Sequence, residues 1–371
     1  MKNIKKIVAI GFLGLMNLSS FAQKTDYLLY VGTYTRKTSE GIYIYQFNSQ
    51  TGDFVPVSIA KGIVSPSFLA ISPNKRFLYA TDGQKGDSVR AFSIDKKSGN
   101  LTKLNSQLTE GIGAVHLQVD KTNKWLIIGN YRSGNLSILP INPDGSLEKA
   151  TQTIKHEGKS IDPERQDKPY VHSINIAPNN KDVFVPDLGT DKIMTYHLNA
   201  ETGKLSAGNP PFTSVTPGAG PRHFTIHPNG NFAYVIQEMG ALITGFHYKN
   251  GVLKAFQTIK TLPDDYSGRK WAADIHISPD GKFLYGSNRA AESLAIFTIN
   301  QKTGQLTLEG HQPVNGKTPR NFAIDPTGNF VLVANQDSDN ITIFKRNKAT
   351  GKLTPTGKEI QVSMPVCLLF Y

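Results

Sequence analysis

Residues 272–288 read AADIHISPDGKFLYGSN, and this pattern recurs along the whole chain. It consists of an apolar run with alternating polar residues, a Pro/Asp/Gly turn and a second apolar run, which is the pattern of a β-hairpin. Clear copies are SPSFLAISPNKRFLYATD at 65–82 and TPRNFAIDPTGNFVLVAN at 318–335, and weaker copies begin at residues 114, 170 and 220. A unit that recurs in this way predicts a repeat architecture.

Each hairpin is followed by a third apolar run and a glycine turn. In the copy that begins at residue 220, these are ITGFHYK at 243–249 and then KNG, after which a fourth apolar run starts. Four short antiparallel strands in a repeat of about 50 residues predict one blade of a β-propeller.

The two ends of the chain carry incomplete repeats. The N-terminal part has YLLYVGT, GIYIYQFN and TGDFVPV but no first strand, whereas the C-terminus has only MPVCLLFY at 364–371. We expect these segments to combine into one blade, because that closes the ring and leaves no exposed sheet edge. The sequence therefore predicts an all-β fold, a single seven-bladed β-propeller at residues 23–371 closed by pairing of the N- and C-terminal strands.

The first 22 residues have the pattern of a secretory signal peptide. A lysine-rich start precedes an apolar run at 7–16, and SFA at 20–22 matches the small-x-small cleavage pattern. The apolar run is too short to span a bilayer of about 30 Å. We predict cleavage near Ala22-Gln23 and a periplasmic or secreted mature protein; a buried N-terminal helix is the alternative.

The composition excludes several classes of partner. The formal net charge is +12, but the basic residues are scattered and form no block interleaved with aromatic residues. We therefore expect no nucleic-acid partner and no membrane insertion. The single cysteine, Cys367, allows no intrachain disulfide and is interpreted as a small buried side chain. We expect a monomer or a weak dimer.

Aligning the repeats separates scaffold positions from exceptional ones. The position before the turn proline holds serine, aspartate or alanine in the other hairpins, so His227 at that position is interpreted as a turn residue. Two adjacent positions at the start of the first strand are apolar in some blades, so the fold does not require charge there. The exceptional residues at these positions are His116, His172, Arg222, His223 and Arg320, and those just past the second strand are Glu238 and Arg289.

The start of a first strand and the end of a second strand lie side by side in an antiparallel pair. The exceptional residues should therefore converge at one end of the ring. Three arginines would repel a divalent cation, so no metal and no cofactor are expected, whereas arginines bind carboxylate, phosphate or an oxyanion. The pattern predicts an anion pocket; the alternative is a set of structural ion pairs, such as Arg222 with Glu238.

One loop departs from the repeat. The segment KHEGKSIDPERQDKPY at 155–170 is longer than the other connections between blades and leads directly to His172. Long loops in compact folds are often binding elements. We expect this loop to cover the same mouth of the ring, and disorder without a role is the alternative.

Several stretches resemble the seven-bladed lactonase family of bacterial 6-phosphogluconolactonases and fungal carboxymuconate cycloisomerases. They are RQDKPYVH, DVFVPDLGTDKI, GPRHFTIHPNGNFAYVIQE, AADIHISPDGKFLYGSNR and TPRNFAIDPTGNF. The resemblance implies a metal-independent lactonase with His172, Arg222, Glu238 and Arg289 as the catalytic set. The residues expected to bind substrate are His223, Arg320, Arg165, Gln166, His116 and Asp187.

The sequence thus predicts an exported lactonase that opens a sugar lactone, of aldono- or 6-phosphoglucono-type, by general acid/base catalysis. Either Glu238 or His172 would activate water, while Arg222 and Arg289 would hold the oxyanion. Two alternatives remain open. One is a non-catalytic propeller that binds an acidic sugar or a protein, and the other is a muconate-type cycloisomerase.

Overall fold

The computed structural model describes residues 25–83 and 87–371, which form seven four-stranded antiparallel sheets. The predicted signal peptide, residues 1–22, lies outside the described residues. No helix occurs in the part of the chain that is described, so the all-β prediction is confirmed and no described segment could cross a membrane as a helix.

Each sheet is one blade, and the strands follow the chain order. Blade 1 contains β1 (Asp26–Thr33), β2 (Gly41–Asn48) and β3 (Phe54–Lys61). Blade 2 contains β4 (Leu69–Ile71), β5 (Phe77–Asp82), β6 (Ser88–Ile94) and β7 (Leu101–Leu108). Blade 3 contains β8 (Ala114–Val119), β9 (Trp125–Asn130), β10 (Asn135–Pro140) and β11 (Gln152–Lys155). Blade 4 contains β12 (Asn175–Ile176), β13 (Asp182–Asp187), β14 (Lys192–Leu198) and β15 (Leu205–Ser214).

The remaining blades have the same arrangement. Blade 5 contains β16 (Pro221–Ile226), β17 (Phe232–Gln237), β18 (Leu242–Lys249) and β19 (Val252–Lys260). Blade 6 contains β20 (Ala272–Ile277), β21 (Phe283–Asn288), β22 (Ser293–Ile299) and β23 (Leu306–Pro313). Blade 7 contains β24 (Pro319–Ile324), β25 (Phe330–Asn335), β26 (Asn340–Arg346) and β27 (Leu353–Gln361). The last strand of the chain, β28 (Pro365–Phe370), belongs to blade 1.

The ring closes as the sequence predicts. Strand β28 pairs with β1, with Tyr30 opposite Leu369 and Val31 opposite Leu368. The order of blade 1 is therefore β28-β1-β2-β3, so the C-terminus supplies the first strand and the N-terminus the other three. First strands of neighbouring blades contact each other, as β16 does with β20 and β20 with β24.

The core lies between the blades. Apolar clusters fill the interfaces between consecutive blades all the way around the ring. The period of two in a strand explains how one strand serves two interfaces. In β17, Tyr234 and Ile236 pack toward blade 6, whereas Ala233 and Val235 pack toward blade 4. The second strands are therefore apolar on both faces, and β17 is buried along its whole length.

A recurrent tyrosine also ties each of several blades to the next one. The Tyr234 hydroxyl donates to the Gly304 carbonyl at 2.6 Å, and the Tyr285 hydroxyl donates to the Gly351 carbonyl at 2.7 Å. The acceptor glycine lies in the turn between the third and fourth strands of the following blade, where its φ is positive (+75° at Gly304). Glycine adopts this conformation without the steric cost that a side chain brings. The equivalent pairs in blades 1 and 2 are Tyr30 with Gly99 and Tyr79 with Gly145.

β-Bulges recur at the start of the first strands. The register shifts between Pro221 and His223 in blade 5 and between Pro319 and Asn321 in blade 7, which makes Arg222 and Arg320 the extra residues. A bulge changes the direction of the side chain that it carries. In a regular strand, the adjacent residues Arg222 and His223 would point to opposite faces of the sheet. The bulge breaks this alternation.

Candidate active site

A cavity of about 720 Å³ opens at the end of the ring where the first strands start and the second strands end. Residues just past the second strands line it, among them Tyr34, Tyr131, Glu238 and Arg289. Two carboxylates, Asp87 and Glu238, belong to its wall. Its arginines are Arg36, Arg132, Arg165, Arg269, Arg289 and Arg320. Of the residues predicted to converge here, His172, Glu238, Arg289 and Arg320 line the cavity, and the wall is strongly cationic. Arg222 and His223 line a small void next to His172 instead.

Glu238 binds three arginines at once. Its Oε2 accepts from Arg222 Nε at 3.1 Å and from Arg289 Nη2 at 2.7 Å. Its Oε1 accepts from Arg165 Nη2 at 2.7 Å. The pair of Arg222 and Glu238 that the sequence offered as a structural alternative therefore exists, within blade 5. It belongs to a cluster that joins blades 5 and 6 through Arg289 and Glu238 and that also lines the cavity.

Backbone carbonyls hold the two inner arginines in place. Arg222 Nη1 donates to the Ala273 carbonyl at 2.6 Å, and Arg289 Nη2 donates to the Ala272 carbonyl at 2.8 Å. The guanidinium carbon of Arg289 also lies 4.0 Å from the centre of the Trp271 ring. Carboxylate, carbonyl and ring thus fix the position of Arg289 in the cavity wall, while its Nε is buried without a hydrogen-bond partner among the described residues.

The electrostatics keep Glu238 ionised. Burial alone would raise the pKa of Glu238, but the charges of Arg289 and Arg222 and the hydrogen bond from Arg165 outweigh it and hold the pKa well below its usual value. Burial lowers the pKa of Arg222 to about 10 and that of Arg289 to about 9, with Glu238 opposing the shift in each case. All three groups are thus charged at neutral pH.

His172 lies beside this cluster and differs from it in charge. Its Nε2 is 4.0 Å from Glu238 Oε2, its ring centre is 5.1 Å from that of Tyr131, and its side chain is buried. Burial, then the positive charge of Arg222, lowers the pKa of His172 well below its usual value. His172 is therefore a neutral imidazole at pH 7. Its Nδ1 has no hydrogen-bond partner among the described residues.

The long loop at 155–170 lies against the same mouth, as predicted, and carries Arg165 to Glu238. Asp162 Oδ1 accepts from the backbone N–H of Glu164 and of Arg165, each at 2.9 Å, which forms a tight turn just before the arginine. Gln166 is fully buried and its Nε2 donates to the Leu188 carbonyl at 2.8 Å. Gln166 thus fixes the loop and does not line the cavity, so any effect that it has on substrate passes through the loop.

Asp187 and His116 also lie away from the cavity wall. Asp187 is fully buried: its Oδ2 accepts from His156 Nδ1 at 2.6 Å, and its Oδ1 accepts from the Tyr170 N–H at 2.8 Å. It therefore secures the two ends of the long loop. The His116 ring packs on the Phe68 ring, with 4.0 Å between the ring centres, and its Nδ1 accepts from the Ile174 N–H at 3.2 Å.

A buried carboxylate, that of Asp274, fixes the position of His223. Its Nδ1 donates to Asp274 Oδ1 at 2.7 Å, and its ring centre is 5.5 Å from that of His172. A small void of about 10 Å³, lined by His172, Arg222, His223 and Arg320 among others, joins these residues. The void is about the size that holds one water molecule. Burial, then Arg222, lowers the pKa of His223 to about 4.

His227 is a turn residue, as its position in the repeat indicates. Its Nδ1 accepts from the Asn229 N–H at 3.1 Å and its Nε2 bonds to the Gly281 carbonyl at 2.8 Å. It lies near neither the cavity nor the void. Within the described residues, no group of three or more His, Cys, Asp or Glu side chains is arranged to hold a metal ion.

Part of the cavity wall is not predicted from the sequence. Tyr34 and Tyr131 occupy the same repeat position as Glu238 and Arg289, and that shared position could have identified them. Arg36 and Arg269 belong to loops outside the repeat, so no periodic signal marks them. Trp271 directly precedes β20, where its ring lies under both Arg269 and Arg289.

Comparisons with known proteins agree with this architecture. The profile of the lactonase family, described as a seven-bladed β-propeller, matches residues 28–370. A 6-phosphogluconolactonase of Formosa agariphila is 38% identical over 306 residues, which cover 80% of this chain and 86% of the relative. A 6-phosphogluconolactonase of Bacillus subtilis is 36% identical over 303 residues, which cover 80% of this chain and 85% of the relative.

A solved structure is similar over nearly the whole length. The periplasmic gluconolactonase of Pseudomonas aeruginosa superimposes with a TM-score of 0.90 at 32% identity, covering 93% of this chain and 99% of that one. The enzyme class predicted from the sequence, a lactonase, is that of the family and of these relatives. The chain belongs to the seven-bladed β-propeller lactonase family.

Proposed function

We propose that the protein opens a sugar-derived lactone, with His172 as general base and with Arg289 and Arg222 as the groups that stabilise the oxyanion. One observation carries this proposal. A neutral, buried histidine stands 4.0 Å from a carboxylate that fixes three arginines at a cavity. The family and its 6-phosphogluconolactonase and gluconolactonase members support the substrate class.

The charges favour His172 over Glu238 as the base. A general base must be unprotonated at the working pH and must have affinity for a proton. Glu238 is unprotonated, but three arginines hold its pKa far below neutrality, so it takes a proton poorly. The pKa of His172 is lowered as well, by burial and Arg222, but among the described residues no arginine is hydrogen-bonded to its ring and its Nδ1 has no partner. Its pKa would rise as negative charge develops on a nearby substrate. Glu238 then serves to align the arginines.

The proposed reaction adds one water molecule to the lactone. His172 removes a proton from water as the oxygen attacks the ring carbonyl, and the carbonyl oxygen becomes an oxyanion near Arg289 and Arg222. When the intermediate collapses, the ring C–O bond breaks and His172 returns the proton to the leaving alkoxide. The product is the hydroxy acid, which releases its carboxyl proton to solvent, and the resulting carboxylate stays next to the arginines until it is released.

We also propose that this reaction takes place outside the cytoplasm. The pattern of residues 1–22 supports export, and a periplasmic member of the family supports the compartment. Expression of the full chain in a Gram-negative host, followed by fractionation and N-terminal sequencing, tests it. A mature protein that begins near Gln23 in the periplasmic fraction is expected, and an unprocessed cytoplasmic chain would contradict it.

The enzymatic proposal is tested by incubating the purified mature protein with aldonolactones, with and without a phosphate or a second carboxylate, and following acid release. Faster release than in buffer is expected for at least one lactone. Binding of the ring-opened acids without any acceleration would instead identify a binding protein.

A further inference from the structure

Four arginines of the cavity wall are not neutralised by a carboxylate. Arg36, Arg132, Arg269 and Arg320 form no ion pair within the described residues, whereas Arg165 and Arg289 bind Glu238. The other wall carboxylate, Asp87, accepts from the Gly113 N–H at 2.8 Å. The cavity therefore holds more positive charge than the proposed oxyanion requires.

Two of these arginines meet at one aromatic side chain. The guanidinium carbon of Arg36 lies 4.5 Å from the centre of the Tyr34 ring, and that of Arg320 lies 5.5 Å from the same point. Arg320 is half-buried, and its charge contributes to the lowered pKa values of His172 and Arg222. Stacking on a ring occupies the face of a guanidinium and leaves its N–H edge free to bind an anion in a bidentate manner.

Tyr34 and Arg36 lie on the side of the cavity away from His172, whereas Arg320 lines both the cavity and the small void beside His172. Tyr34 and Arg36 belong to blade 1 and Arg320 to blade 7, whereas His172 belongs to blade 4. In a ring of seven blades, the junction of blades 7 and 1 lies opposite blade 4. Both sides line one cavity of about 720 Å³, which is large enough for a monosaccharide lactone to extend from one side to the other.

We propose that Tyr34, Arg36 and Arg320 form a second anion subsite, which selects lactones that carry a phosphate or carboxylate away from the reacting carbonyl. This inference rests on the proposed lactone hydrolysis, and it names residues that determine specificity rather than residues that perform the reaction. Bidentate hydrogen bonds to a charged group each contribute enough free energy to change selectivity by about tenfold.

The test compares the wild type with R36Q and R320Q on three probes. These are glucono-1,5-lactone, which is neutral, its 6-phospho derivative, and glucaro-1,4-lactone, which carries a free carboxylate. The kcat/KM of an anionic lactone relative to that of the neutral one is expected to exceed unity in the wild type. It should fall by about tenfold or more in R36Q and R320Q. The anion whose ratio falls most identifies phosphate or carboxylate as the group that is recognised.

R132Q is the matched control. Arg132 lines the same cavity but does not stack on Tyr34, and its replacement removes the same charge as R36Q and R320Q. Its selectivity ratio should stay within about twofold of the wild type. Losing one positive charge weakens the long-range attraction of anionic substrates only slightly at physiological salt, because salt screens that attraction. An equal fall in R132Q and R36Q, or a wild type that prefers the neutral lactone, would overturn the proposal.

A binding experiment separates this inference from the proposed reaction. Calorimetry with 6-phosphogluconate, glucarate and gluconate needs no turnover. The wild type should bind 6-phosphogluconate or glucarate, each of which has a second anionic group, at least about tenfold more tightly than gluconate, and R36Q should lose this difference. If no lactone is opened but this preference is present, the subsite stands and the hydrolysis fails. If lactones are opened and R36Q keeps the wild-type preference, the subsite fails alone.

Discussion

Glu238 shows how the surroundings of a residue decide its role. A carboxylate in a lactone site is a natural candidate for a general base, and the sequence leaves Glu238 and His172 as equal choices. The structure surrounds Glu238 with Arg165, Arg222 and Arg289, and these hold its pKa well below its usual value. A carboxylate in this state orients arginines better than it accepts protons.

Replacing this carboxylate should therefore affect activity and stability together. In E238Q the charges of Arg222 and Arg289 stay buried without their partner, which should lower the free energy of unfolding by about 3 kcal/mol. The lactone kcat/KM should fall by about 10²-fold or more, because the arginines lose their alignment.

Thermal unfolding and acid-release kinetics measure both effects of E238Q. R165Q is the control for stability, because Arg165 is more exposed than the inner arginines, and its unfolding midpoint should stay near that of the wild type. A fully stable and fully active E238Q would refute the role given to Glu238.

The pH profile tests the assignment of His172. The reaction needs the unprotonated imidazole, and the pKa of His172 is held well below its usual value of 6.5. Lowering the pH from 7.5 through 6.5 should therefore leave kcat/KM unchanged, and activity should fall only at clearly more acidic pH. A half-maximal rate near pH 6.5 would mean that His172 titrates normally or that another group is the base.

The site could be predicted where residues fall on repeat positions. Arg222 and Glu238 were brought together correctly, because the start of one strand and the end of its antiparallel partner are neighbours. Gln166 and Asp187 were expected to bind substrate, but both hold the long loop in place. The sequence does not distinguish a polar residue that binds the backbone of a loop from one that faces a cavity. Arg36 and Trp271 were missed, because no repeat position marks a residue that reaches the mouth from a loop.

At the scale of elements, neighbouring blades are joined by a hydrogen bond from a tyrosine of the second strand to a glycine carbonyl in a turn of the next blade. Tyr234 is fully buried and its hydroxyl donates to the Gly304 carbonyl at 2.6 Å. Both residues recur in the repeat: the tyrosine is the third residue of the second strand, and the glycine lies in the turn between the third and fourth strands. Their contact was not predicted, because it joins different repeats about 70 residues apart.

Removing one such link should have a modest, local cost. Y234F deletes the hydroxyl, keeps the ring and leaves the glycine carbonyl without this donor, so the free energy of unfolding should fall by about 1 kcal/mol. Chemical denaturation measures the change, and lactone kinetics should stay at the wild-type level because the link lies outside the cavity wall. An unchanged midpoint would show that the hydrogen bond contributes nothing to stability.

At the scale of the whole molecule, the ring depends on contacts between blades as well as on its closing strands. The number of blades could be predicted because every hairpin repeats one pattern and the two chain ends are complementary. A second set of hydrogen bonds between blades was also not predicted. Asp274 of blade 6 accepts from His223 of blade 5 at 2.7 Å and from the Asn321 amide of blade 7 at 2.5 Å. Asn321 Oδ1 in turn accepts from the Leu368 N–H of blade 1 at 2.7 Å.

This network predicts a stability change with a defined pH dependence. Burial would raise the pKa of Asp274, but His276 and His223 outweigh it and hold the pKa well below 3.8. A lowered pKa in the folded state means that Asp274 stabilises the protein above its unfolded pKa and that this contribution is lost as the pH falls through the lowered pKa. D274N should therefore lower the free energy of unfolding by about 3 kcal/mol at pH 7.

The difference between D274N and the wild type should shrink as the pH falls below about 4. D264N, which changes an exposed carboxylate paired with Lys260, is the matched control and should leave the unfolding midpoint unchanged. A D274N protein as stable as the wild type at pH 7 would show that the four inner strands do not need this carboxylate.

The most direct test of the account is the rate of acid release from a sugar lactone by the wild type and by H172Q. The wild type should open at least one lactone of the panel. H172Q should be slower by about 10²- to 10⁴-fold while its unfolding midpoint and its affinity for the ring-opened acid stay near those of the wild type. A wild type that opens no lactone, or an H172Q protein that is as fast as the wild type, would contradict it.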